Sequence, residues 1–251
     1  MTLVWRPGFS GLTDADAIAY VSAVEAADGQ PLEFGVAKAI NDFVVGCKLD
    51  GIWSAIKASC ILAGARTTNG ALVPLVGTAP TPFNFDLVGN TDYNRKTGLV
   101  GDGTSKSLNA GVSYQTYGVD SLVHTSVYVS TAASGTYLGV NAQNTIANSN
   151  AYIRSSGAVY SASTNGFIGI SLPATLTASV RYNSATVTGS VASTSSVATA
   201  IGIFARSGTV PSSRSAARLA FYSIGESLDL AKLDTRVTAL ITAFQAPGVI
   251  P

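Results

Sequence analysis

From residue 97 to residue 226 the chain is written as short β-branched runs: TGLVG, SLVHTSVYVS, TYLGV, AYIRS, FIGISL, TASVRY, ATVTGSV, SVATAIGIFARS and ARLAFYSIG. Clusters of Gly, Asn and Ser separate them, and a run recurs about every ten residues. Segments this short cannot bury a face alone, so they must pair with their neighbours through turns. That grammar predicts an antiparallel sandwich or barrel. Within LVHTSVYVS the period of two puts Val123, Thr125, Val127 and Val129 on one face, with His124, Ser126 and Tyr128 on the other.

Helical grammar brackets the strands. Thr13 is the expected N-cap of a first helix, with Asp14 and Asp16 in its opening turn and Ile18, Val21 and Val24 at helical spacing. Gly29 and Pro31 close it. A second helix is expected from Leu32 to Cys47, burying Val36, Ile40, Phe43 and Val44. A third is expected after Asp50, with Ile52, Trp53, Ile56 and Cys60 on one stripe. Near the C-terminus, Ser227 can cap a helix whose stripe is Leu230, Leu233, Val237, Leu240, Ile241 and Phe244, ended by Pro247. The expected organisation is a helical segment over 1–63, an extended connector with Pro74, Pro80 and Pro82 over 64–92, a β-sandwich over 93–226 and a C-terminal amphipathic helix over 227–251.

Charge narrows the function. Charged residues make up only 12% of the chain against 47% apolar, and the formal net charge is +1. Nothing in that balance favours counterion-driven binding to nucleic acid or to anionic lipid. The long uncharged stretch 182–205 is rich in Ser and Thr, so it reads as polar strands and no membrane insertion is expected. The opening MTLVWRPGFSG lacks the charged and apolar regions of a signal peptide, and Cys47 and Cys60 are expected as buried free thiols made in a reducing compartment.

Catalytic signatures fail one by one. The run GLVGDGTSKS (residues 98–107) has glycines at the Walker A spacing, but Lys106 comes two residues late and no helical period follows, so it is expected to be a turn. No Asp or Glu lies between Asp120 and Glu226, which deprives the strands of the carboxylate pair a glycosidase needs. His124 is the only histidine; no G-x-S-x-G elbow accompanies it, and a satisfied structural residue is expected there. Asp86, Asp92 and Asp102 lack the converging oxygens and spacing of a calcium site. The chain is expected not to be an enzyme, to need no cofactor and to hold no metal.

What remains is a surface of hydroxyls, amides and tyrosines. GVNAQNTIANSNAYIRSSG places Asn141, Gln143, Asn144, Asn148, Asn150 and Tyr152 in one stretch, and planar amides beside an aromatic ring suit sugar binding. The same Asn and Ser residues also suit turns. Arg154, Arg181, Arg206, Arg214 and Arg218 lie on different strands, where they could form a patch or pair with acids of the helical part.

Three stretches together resemble a group of tailed-bacteriophage virion structural proteins: INDFVVGCKLDGIWSAIKASCILAGA, YNRKTGLVGDGTSKSLNAG and RLAFYSIGESLDLAKLDTRVTALITAF. In that group a helix carrying G-[IV]-W precedes a sandwich of the concanavalin A-like (laminin G-like), jelly-roll type. A G-x-x-G-[DN]-G-[ST] turn leads to a Leu near Leu108, and a helix follows the last strand. This chain departs at Ser107 and Asn109, where an aromatic and an acid are usual, and over 112–210. The resemblance implies a mainly β fold and a virion protein made in the host cytoplasm, as a tail fibre, spike or head-decoration component. It also implies a homo-oligomer, a trimer among the options, that meets other virion proteins and in some members a host surface glycan. On this likeness GLVGDGTSKS is the first hairpin of the sandwich.

Overall fold

The computed structural model describes residues 11–117, 122–140, 144–148, 150–153, 158–161, 165–174, 176–190, 197–207 and 211–251. In chain order its elements begin with α1 (Ala15–Asp28), α2 (Phe34–Leu49), β1 (Ile56–Ile61), α3 (Thr68–Ala71), β2 (Thr81–Phe83), β3 (Tyr93–Asn94), β4 (Gly98–Val100), β5 (Ser107–Ser113) and α4 (Tyr114–Tyr117). They continue with β6 (Val123–Thr131), β7 (Thr136–Gly139), β8 (Thr145–Ala147), β9 (Asn150–Ile153), β10 (Ala158–Ser161) and β11 (Gly166–Ala174). The last are β12 (Thr177–Tyr182), β13 (Ala185–Ser190), β14 (Ala200–Ile203), β15 (Arg218–Glu226) and α5 (Leu230–Gln245).

The fold is mainly β, with two antiparallel sheets face to face. One sheet runs β13-β12-β11-β6-β15-β4-β3; the other runs β10-β9-β8-β7-β14-β5-β2. In the first, β15 is the hub: β6 pairs along one edge, while β4 and then β1 share the other. The alternation expected of β6 holds. Val127 and Val129 enter the core between the sheets, whereas His124 and Ser126 are buried on the opposite face.

That opposite face is not solvated, because the helices cover it. Val21 and Val24 of α1, Val36, Ile40, Phe43 and Val44 of α2, and Leu233, Val237, Leu240, Ile241 and Phe244 of α5 form a second core against Ile61, Phe167, Ala220 and Phe221 of the sheet. Phe43 meets Phe221 edge-on with ring centroids 5.8 Å apart, a favoured aromatic geometry. The molecule therefore has three layers, helices on sheet on sheet. Among the described residues no helix is long and apolar enough to cross a membrane.

Several expectations are corrected. The third helix does not form: a single 3-10 turn at Trp53–Ala55 leads into β1, which pairs with β15 from Ile56↔Gly225 to Ile61↔Phe221. Ala58 and Cys60 face the core between the sheets while Ile61 faces the helices. A strand buried on both faces loses its polar alternation and reads like a buried helix. The connector over 64–92 also carries α3 and β2. Pro82 is tolerated on β2 because that strand is the edge of its sheet.

The caps differ by one or two residues. Asp14, not Thr13, caps α1 by accepting from the amides of Asp16 and Ala17; Asp229, not Ser227, caps α5 through the amides of Ala231 and Lys232. Finally, GLVGDGTSKS is a turn but not a hairpin. It leaves β4 in one sheet and enters β5 in the other, so it arches across the edge of the sandwich.

Candidate functional site

Among the described residues the imidazole, the thiols and the carboxylates are buried in the fold or engaged in holding it. His124 lies wholly buried. Its Nδ1 donates to the Glu226 carbonyl at 2.6 Å, which leaves Nε2 to accept the Ser223 hydroxyl at 2.8 Å. Burial pulls its pKa down to about 4, against the raising effect of the Glu226 carbonyl. Cys47 and Cys60 are free and buried as expected, and burial pushes both thiols up to about 12.

Every described carboxylate has a partner. Glu33 takes Arg95 and Arg66, Asp50 takes Arg236, Asp234 takes Arg181, and Glu226 takes Lys57. Asp16 and Asp14 take Lys48, and Asp42 takes Lys38. Glu25 accepts the Leu32 amide, while Asp28 accepts those of Arg66 and Thr67. Asp229 caps α5.

The three aspartates weighed as cation ligands close turns instead. Asp86 accepts the amides of Gly89 and Thr91 and the Thr91 hydroxyl, which bring it down to about 2. Asp92 holds Lys106 and the Asp86 amide. For Asp102, burial opposes the charge, but the amides of Lys106, Ser105 and Thr104 and the Ser105 hydroxyl outweigh it and keep the carboxyl well below the usual range.

The amide-rich stretch proposed for sugar is split by the structure. Asn141, Gln143 and Arg154 lie outside the described residues. Asn144 is buried; its carbonyl accepts the Tyr114 hydroxyl at 2.7 Å, and its own Oδ1 has no partner. Asn148 is exposed and takes a left-handed conformation at φ 50°, as a turn residue does. Its Oδ1 accepts the Gly135 amide at 2.6 Å. Asn150 reaches the Asn148 carbonyl with Nδ2 at 3.2 Å.

On β9 the alternation is clean. Ala151 and Ile153 enter the core, so half-buried Asn150 and Tyr152 share the outer face of the second sheet, with Tyr152 opposite Thr145 of β8 and Val159 of β10. Asn148, Asn150 and Tyr152 are thus brought to one rim, and Asn144 is not. At the same rim stands Arg214, whose carbonyl lies 2.1 Å from where a Gly135 Cβ would be. Of the other arginines, Arg181 pairs with Asp234 of α5, and Arg218 donates to the Gly98 carbonyl at 2.6 Å.

A concavity beside α1 escaped sequence reasoning. A groove of about 480 Å³ runs between α1, the turn at Trp53 and residues 74–76, floored by Tyr20 and rimmed by Asp16 and Lys57. Its indole is already engaged: Nε1 donates to Asp16 at 3.2 Å, and the Lys48 ammonium sits 5.7 Å from the ring centroid. Trp53 beside Asp50 and Lys57 was the available signal, and it was absorbed by the expected helix.

No protein-family model matches the chain, and no curated protein matches it. Among solved structures it is similar to a mutant of Trypanosoma rangeli sialidase displaying trans-sialidase activity, at TM-score 0.47 and 11% identity over 83% of this chain and 39% of that one. It is also similar to the binding domain of botulinum neurotoxin serotype D, at TM-score 0.44 and 13% identity over 74% of this chain and 51% of that one. The chain spans about half or less of either structure's length.

Proposed function

We propose that the chain is a non-enzymatic structural component of a tailed-phage particle, a tail fibre, spike or head-decoration protein, working as a homo-oligomer. The observation that carries this reading is the engagement of the described carboxylates and of His124 in caps, turns and ion pairs, which leaves scaffold chemistry in place of acid–base chemistry. The resemblance of the three stretches around the sandwich supports the particle. Attachment through the helices would have to use their outer surface, where Phe34 and Leu49 are exposed, because their apolar stripes are spent on the sheet. Immunogold labelling of purified virions, with light scattering of the isolated protein, tests it. Label on the particle and an oligomer in solution are expected; a strict monomer without affinity for particles overturns it.

A second reading, a carbohydrate-binding host-attachment module, is favoured by the shared outer face of Asn150 and Tyr152 beside Asn148. Replacing Tyr152 by Ala is expected to weaken glycan binding roughly tenfold, through loss of the stacking surface. Absence of binding across a broad glycan array counts this reading out.

A further inference from the structure

The two sheets end in β13, β3, β10 and β2, and these edges are guarded unequally. β3 spans two residues, β10 four and β2 three, with Pro82 among the three. Short edges and prolines blunt the row of unpaired backbone groups that an open strand presents. β13 has neither defence. It runs six residues, ATVTGS, in unbroken register with β12 from Thr177↔Ser190 to Tyr182↔Ala185. It carries no charge, no proline and no bulge, and among the described residues no strand lies beyond it. Thr186, Thr188 and Ser190 are exposed, while Val187 and Gly189 are half-buried.

The hairpin fixes which backbone groups face outward. Asn183 and Ser184 form a two-residue loop, left-handed at φ 48° and 56°, as in a type I′ turn. Such a loop is closed by a hydrogen-bonded pair, Tyr182↔Ala185, and the bonded pairs then alternate through Val180↔Val187 and Ala178↔Gly189. The N–H and C=O groups of Thr186, Thr188 and Ser190 therefore point away from β12, along the open edge. The side chains of these three residues share one face of the sheet. On it the Thr186 hydroxyl accepts from Arg181 at 3.2 Å, and the Thr188 hydroxyl meets that of Ser179 at 3.4 Å.

We propose that β13 pairs antiparallel with β13 of a second copy of the chain, about a two-fold axis at Thr188. The inference rests on the homo-oligomer reading and names its surface. A two-fold there sets Thr188 opposite Thr188 and Thr186 opposite Ser190, so every outward N–H and C=O of the edge finds a partner. The strand also fits itself. Hydroxyl residues meet hydroxyl residues on one face, and Val187 meets Gly189 on the other. No charge stands near the axis, where identical copies would repel each other, and the edge offers nothing by which a charged partner would be chosen. The pairing is isologous, so the smallest assembly is a dimer in which the first sheet runs on from one copy into the next.

The test follows the full chain by sedimentation and by amide hydrogen exchange across a range of concentrations. In dilute solution the amides of Ala185, Val187 and Gly189, bonded to β12, should exchange slowly and those of Thr186, Thr188 and Ser190 fast. Association should slow the second set as the mass doubles, a readout that needs no variant. Thr188→Pro removes an outward N–H without touching a bond to β12 and should weaken association at least about tenfold. Thr188→Lys keeps that N–H but sets two ammonium groups at the axis, and it should weaken association by a similar factor. Thr188→Val, which keeps the backbone groups and the branched shape, should associate like the wild type. The amide spectrum of each variant reports that the hairpin is retained. An oligomer whose Thr186, Thr188 and Ser190 amides still exchange fast, or one that Thr188→Pro and Thr188→Lys leave intact, overturns the inference and leaves the homo-oligomer reading standing. A trimer in solution does the same. A monomer at every concentration up to the millimolar overturns the inference and that reading together.

Discussion

Gly101 and Gly103 are two residues apart in one arch and are required for different reasons. A Cβ on Gly101 would lie 2.0 Å from the Ser215 carbonyl oxygen, so two backbones meet where no side chain fits. A Cβ on Gly103 would meet nothing nearer than Ala216 at 3.8 Å, an ordinary contact, but the residue sits at φ 75°. Gly101→Ala is therefore expected to cost roughly 2–3 kcal/mol by overpacking, Gly103→Ala about 1 kcal/mol by backbone strain, and Gly103→Asn very little. Urea midpoints of the three variants check the order. His124 gives a second prediction. It stays neutral in the fold with a pKa of about 4, against 6.5 for an ordinary histidine. Above pH 6.5 neither state carries the proton, so the stability is fully present. As the pH falls towards 4 the unfolded chain binds a proton that the folded chain refuses, and up to roughly 3 kcal/mol is lost. In His124→Asn that slope of unfolding free energy should vanish between pH 6.5 and about 5, above the range where lowered carboxylates such as Asp86 and Asp102 add their own, whatever the variant's absolute stability.

Strands and helices were legible where one face differs from the other. β6, β12 and β13 carry Val or Ala on one face against Ser, Thr, His or Arg on the other, and α2 and α5 carry stripes at helical spacing. β1 was illegible because sheet and helices bury both its faces, and β5 because its Ser, Asn and Gly mimic turn composition while Gly111 bends it at φ 69°. The ties between elements were equally hidden. Arg181 on β12 donates to Asp234 on α5 at 2.8 Å, with the two side chains only 14% and 9% exposed. Asp234→Ala strips that partner from a nearly buried cation and should cost about 2–3 kcal/mol. Asp42→Ala, which breaks an ion pair between exposed side chains on α2, should leave the midpoint where it was. Denaturant melts of the two variants side by side make the comparison.

The layered architecture makes the helices part of the core rather than an appendage. Phe167, Ala220 and Phe221 of the first sheet lie under them, and Phe244 of α5 is fully buried. A chain ending at Glu226 is thus expected to expose an apolar sheet face, bind a hydrophobic dye and self-associate instead of yielding a free sandwich. Near-UV circular dichroism of that truncation, compared with the full chain, decides it: retained tertiary signal without dye binding would refute the layered account. Of the candidate rim, Asn148, Asn150 and Tyr152 were readable as an amide-rich stretch. The burial of Asn144 was not, since its carbonyl is covered by the Tyr114 hydroxyl arriving from α4.

Local order along the chain is enough to specify turn-punctuated strands between flanking helices, buried thiols and a β region without acids, because each depends on residues a few positions apart. Contacts between distant segments decided the rest: the strand at Ile56–Ile61, the arch at Gly101 and the covered face of the first sheet. Tyr222 meeting the Cys60 sulfur across 162 residues is such a contact. No local period encodes it, since which partner covers a face is settled only when the whole chain competes for the same buried surface.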